Sequence, residues 1–151
     1  MSDSYVSFVS TDPNWAPSSD EQIEELVSIV ADALPESEEI ESLVHDFPAF
    51  VHPGENLVTV NCSKCTADLH EWFWELMEEG DYQGGPGPLD VEVPCCKQTV
   101  SLTELKLDWP GAFARFQIDA MNPEIEEIPR GLLVQLATKS GQEFRAVHSH
   151  F

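Results

Sequence analysis

Residues 112–121 read AFARFQIDAM, with Ala112, Ala114, Phe116, Ile118 and Ala120 at every second position. A period of two puts these side chains on one face of a strand, which Asn122-Pro123 closes. Downstream, Ile125, Ile128, Leu132, Leu133 and Leu136 recur at helical spacing. Pro129 and Gly131 delay the regular helix to about Pro129, and Gly141 supplies its stop. EFRAVHSH at 143–150 then gives a last strand. The same order stands at the other end of the chain. YVSFV at 5–9 alternates as a first strand, and Ser18 or Ser19 caps a helix with Glu21 and Gln22 in capping-box register. Ile23, Leu26, Val27, Val30 and Leu34 form its apolar stripe, which stops at Leu34-Pro35. Residues 40–51 carry Ile40, Leu43, Val44, Phe47, Phe50 and Val51, and Pro48 within them predicts a bulge or an edge strand.

Setting residues 52–111 aside, the order is strand, helix, strand, then strand, helix, strand. That is an α+β fold of the split βαβ, ferredoxin-like kind, a sheet with both helices on one face. Residues 1–51 and 112–151 are expected to form this domain, with 52–111 as an insert between its second and third strands. The second face of the sheet is left for a partner or for the insert.

At 151 residues and 42% hydrophobic content, the chain is long and apolar enough for one cored domain. Its 28 acidic residues against 7 basic ones give a formal charge of -21. Residues 1–63 hold 13 acidic side chains and no Lys or Arg, while all 7 basic ones follow. Clustered Lys and Arg are what nucleic-acid backbones and anionic membranes attract, so neither is an expected partner. A negative field of this kind keeps a protein soluble, steers a basic protein partner, or imitates a phosphate backbone. No apolar run approaches the roughly 20 residues of a membrane span, and MSDSYVSF lacks the basic segment of a signal peptide. A cytoplasmic location is expected.

All four cysteines fall in the insert, Cys62 and Cys65 in VNCSKC, Cys95 and Cys96 in VPCCK. In a reducing compartment such clustering points to metal or redox chemistry. Four thiolates suit tetrahedral Zn2+, and strands at Leu57, Val58 and Val60 and at Leu89, Val91 and Val93 lead into the two halves. The second half departs from Cys-x-x-Cys, since Val93 stands where the earlier ligand would be. Three alternatives therefore stand: a four-cysteine zinc site, three cysteines completed by His70 or another group, or no metal, with the adjacent thiols able to form a strained regulatory disulfide. His70 also reads as a solvent-facing helix residue. Residues 68–79, DLHEWFWELMEE, form an amphipathic helix ending at Gly80, with Leu69, Trp72, Phe73, Leu76 and Met77 as the small core of a zinc ribbon. Trp74 lies off that stripe and is placed to dock the insert on the sheet or to meet a partner.

The CxxC knuckle, the PCC knuckle, the capped SLTEL segment and WPGAFARF at 109–116 together resemble an uncharacterised family of small bacterial cytoplasmic proteins with a zinc-ribbon-like segment. The resemblance covers most of residues 57–120. It implies zinc at Cys62, Cys65, Cys95 and Cys96, with Gly usual where Lys97 stands here, and implies no activity.

Signatures of nucleophile elbows, phosphate loops, dinucleotide folds and HExxH zinc helices are absent from the sequence. His148 and His150 share a strand face and read as a frayed strand end, a second metal site or a general base. Arg115 and Arg145, off the apolar face, read as ion-pair partners of nearby carboxylates or as an anion surface. A closed four-thiolate zinc leaves no open position for water, so a non-catalytic protein-binding module is expected. Its concrete form is an acidic inhibitor or immunity-type protein for a basic partner. The alternatives are a small metal-dependent enzyme or metal-handling protein, and a nucleic-acid mimic.

Overall fold

The computed structural model describes residues 3–54, 59–79, 81–108 and 111–150. Strand β1 (Ser4–Ser10) is followed by helix α1 (Asp20–Ala33) and the long strand β2 (Glu39–Val51). The middle segment holds β3 (Val60–Asn61), helix α2 (His70–Glu78), β4 (Asp90–Glu92), β5 (Thr99–Ser101), a 3-10 turn at Leu102–Glu104 and β6 (Lys106–Leu107). Strand β7 (Ala112–Met121), helix α3 (Leu132–Ser140) and β8 (Phe144–His150) complete the chain.

Four strands form one antiparallel sheet in the order β2-β7-β1-β8, so the fold is α+β. Val6, Phe8, Phe116, Ile118, Ala120 and Phe144 alternate onto one face, where Leu26, Val30 and Leu34 of α1 and Leu132 and Leu136 of α3 close over them. Burying each such large apolar side chain contributes about 1.5–3 kcal/mol to holding the helices on the sheet. Trp15 meets both Phe116 and Phe144 edge-on at 5.9 Å, sealing the end of the layer. At the start of α1, Ser19 accepts from the Gln22 amide at 3.2 Å while Gln22 Oε1 accepts from the Ser18 amide at 3.0 Å, a reciprocal cap that orients the helix.

Two details depart from expectation, and one, in β2, bears it out. Helix α3 begins at Leu132, because Pro129 is spent in a turn whose carbonyl accepts from the Leu132 amide and Gly131 takes a left-handed φ of 84° at the cap. Strand β2 is both an edge strand and bulged: Val44 pairs Phe116 and Ala49 pairs Ala114, so residues 45–48 stand opposite Arg115 alone. Arg115 fastens this excursion, its Nε donating to the His45 carbonyl at 3.1 Å and its guanidinium to the Asn14 carbonyl at 3.4 Å. Arg145 likewise donates to the Gly111 carbonyl. Both arginines therefore satisfy backbone oxygens where carboxylate partners were expected.

The middle segment pairs β3 with β6 and β4 with β5. Its core gathers Val60, Leu69, Phe73, Met77, Val93, Val100, Leu102 and Leu105 around Tyr82 and Phe113. Phe113 belongs to β7, and the Phe50 amide of β2 donates to the Tyr82 carbonyl at 2.8 Å, so this core is seated on the sheet. The strand expectation at Leu57 and Val58, the stop at Gly80 and Trp109-Pro110 lie outside the described residues.

Candidate metal centre

Each cysteine pair sits on a tight turn leaving a short strand. In the first, the Cys62 amide donates to the Ala67 carbonyl at 2.9 Å and the Thr66 amide to the Cys62 carbonyl at 3.1 Å. In the second, the Val93 amide donates to Gln98 at 3.0 Å and the Lys97 amide to Val93 at 3.0 Å. Thr66 and Lys97 take matching left-handed φ values of 65° and 61°. The two turns are one structure used twice, with Val93 in the place of Cys62, Cys96 in the place of Cys65, and Cys95 in the place of Lys64. Val93 is fully buried, as Cys62 is, so the vacant ligand position is filled by core.

The extra cysteine compensates. All four Sγ atoms lie within 4.8 Å of one another, and among the described residues this is the group of metal-ligating side chains that converges in this way. Cys65 and Cys95 approach to 3.3 Å, Cys62 and Cys96 to 3.9 Å, and Cys95 and Cys96 to 3.9 Å. The adjacent cysteines thus turn their sulfurs to a common centre. Four soft donors with no carboxylate among them fit a thiophilic ion of tetrahedral preference.

The thiols are electrically unequal. Backbone amides of Cys65 and Lys64 directed at Cys62 lower its pKa to about 6, against the opposing effect of burial. Desolvation within the cluster, followed by hydrogen bonds shared with Cys65, Cys62 and Cys96, pushes Cys95 up to about 12. The amides of the first turn thus hold a thiolate ready. The second turn presents Val93 at the same spot and has no sulfur there to stabilise.

His70 is not among the converging ligands. It opens α2 with its amide donating to Asp68 Oδ1 at 2.9 Å; the residue is half-buried, and its Nδ1 is buried without a hydrogen-bond partner. Trp74 rests against His52 at 5.2 Å and Phe50 at 6.2 Å, docking α2 on the end of β2. His148 is exposed beside Val6, and His150 Nδ1 lies 3.2 Å from Ser4 Oγ, in a hollow shared with Glu38 and Glu124.

A further feature was not legible beforehand. On the sheet face opposite α1 and α3, Tyr5, Ser7, Glu41, Gln117 and Asp119 line a hollow of about 450 Å³ that Asp3, Phe50 and His52 also border. Ser7 Oγ donates to Asp119 at 2.6 Å and Gln117 Nε2 to the same carboxylate at 2.9 and 3.0 Å. No Lys or Arg lines it. The residues come from β1, β2 and β7 and meet only through cross-strand register. No helix among the described residues is long and apolar enough to cross a membrane. Comparison with protein-family models, curated proteins and solved structures finds no match for the chain.

Proposed function

We propose that the protein is a zinc-stabilised, non-catalytic binding module for a basic protein partner, of the inhibitor or immunity type, working in the cytoplasm. Zn–S bonds of about 2.3 Å imply sulfurs about 3.8 Å apart in a tetrahedron; three of the separations are 3.3, 3.9 and 3.9 Å, and all lie within 4.8 Å. Cys62, Cys65, Cys95 and Cys96 would hold the ion. It would supply cross-linking of the two turns and no reacting water, because four thiolates fill its coordination. On this reading the middle segment is a zinc-ribbon-like insert with a shifted second knuckle. The sheet order β2-β7-β1-β8 with two helices on one face supports the ferredoxin-like arrangement for the rest.

The observation that carries the partner reading is the sheet face opposite α1 and α3, a hollow bearing Asp3, Glu41 and Asp119 with no Lys or Arg among the described residues lining it, in a chain of charge -21. Such a surface attracts cationic side chains and accelerates encounter in a salt-dependent way. The test is affinity purification from the native host with wild-type protein and with the E41Q/D119N variant. Recovery of a basic protein that the variant and added salt both release is expected. Recovery of no basic partner, or of one indifferent to the variant, overturns the reading.

A further inference from the structure

The four thiols divide by access. Cys65 and Cys95 are exposed, whereas Cys62 is buried and Cys96 half-buried. Exposure of Cys95 follows from its shifted position, since it occupies the outward place that Lys64 holds in the first turn. The exposed pair is also closer, 3.3 Å between sulfurs, than Cys62 and Cys96 at 3.9 Å. Cys95 and Cys96, also 3.9 Å apart, are sequence neighbours, and a disulfide between neighbours closes a strained ring.

We propose that Cys65 and Cys95 are an oxidative modification site at which peroxide closes a disulfide between the two turns and so frees the metal. The release step rests on the zinc reading above; the disulfide depends on the chain alone. One thiolate attacks the peroxide, forming an S–O bond and breaking O–O, and the departing hydroxide takes a proton to become water. The second thiolate attacks the resulting sulfenic sulfur, forming S–S and breaking S–O, and the hydroxide expelled takes a proton to become a second water. The two sulfurs lose two electrons, and the peroxide gains them. A disulfide sets its sulfurs about 2.05 Å apart, well short of the edge that a tetrahedral site needs, so Cys65 and Cys95 cease to be ligands. Cys62 and Cys96, two donors in place of four, no longer hold the ion. The new bond links positions 30 apart and encloses α2, joining the same two turns that the metal joins.

The experiment begins with elemental analysis of the protein as isolated. Hydrogen peroxide is then titrated in while a metallochromic dye reads free zinc, and non-reducing peptide mapping reads the cross-link. One Cys65–Cys95 link for each zinc released, reversed by dithiothreitol and added zinc, is expected. Links through other cysteine pairs, or over-oxidation of single cysteines without a link, overturn the proposal. Protein that is metal-free as isolated and still forms the Cys65–Cys95 link keeps the modification site and removes only the zinc reading; zinc-loaded protein that never cross-links does the reverse. Since Cys95→Ser alone weakens the metal set, the control is V93C/C95S, which retains four thiols and should release zinc severalfold more slowly. Release from it at the wild-type rate also counts against the proposal.

Discussion

Lys97 sits at a φ of 61°, where a side chain meets its own carbonyl and a glycine does not. Lys97→Gly should therefore stabilise the second turn, by about 0.5–1 kcal/mol after allowing for the looser unfolded chain. Chemical denaturation of the zinc-loaded protein measures this, and a loss of stability would show that the lysine side chain has a role of its own. A stricter test of the turn correspondence is V93C/C95S, which moves a ligand back to the place of Cys62. Zinc competition against a chelator should show it binding about tenfold or more tightly than C95S alone, ~1.4 kcal/mol. Equal affinities would mean that Val93 does not occupy a ligand position. His52 offers a pH test. Burial lowers its pKa, and its Nδ1 accepts from the Gly54 amide at 2.7 Å, which requires the neutral ring. Below the ordinary value of 6.5 the unfolded chain takes a proton that the folded one resists. Stability present above that value is thus lost on acidification, and H52Q should flatten the decline between pH 7 and pH 5 measured by denaturant melts.

At the scale of elements, helices α1 and α3 and the four long strands were legible because their signals are local. Leu26 and Val30 on one stripe, or Phe116, Ile118 and Ala120 at alternate places, announce their period without help from the rest of the chain. The cysteine set was legible for the same reason, through spacing. What escaped depends on juxtaposition: the two carbonyls that occupy Arg115, the buried Nδ1 of His70 at the start of α2, and the carboxylates that three strands bring to one hollow. No window of sequence contains those pairs. Helix α1 supplies the prediction at this level. Replacing Leu26, which is fully buried, by Ala should cost about 2–5 kcal/mol, and Ser19→Ala about 1 kcal/mol, both read as shifts in the denaturation midpoint. A Ser19→Ala effect near zero would mean that Gln22 alone holds the helix start.

For the whole molecule, the two cores predict a divided response to metal removal. Trp72 and Trp74 border the core beside the cysteines, while Trp15 belongs to the layer under α1 and α3. Chelation under reducing conditions should shift tryptophan emission to the red and open the middle segment, while W15F removes a component that chelation leaves unchanged. A single concerted loss of all structure would instead show that the sheet cannot stand without the metal-bound segment.

The bulge clasped by Arg115 has one more consequence. Strand β2 is an edge of the sheet, met by the middle segment at Phe50, and Val44 and Phe47 lie exposed along it. A straight margin of this length would invite another polypeptide to zip on and seed fibrils. The four-residue excursion at 45–48, with Pro48 inside it, cuts the margin into two short runs out of line with each other. A strongly acidic chain is already slow to self-associate, and this kink removes the template on which cross-β growth would begin.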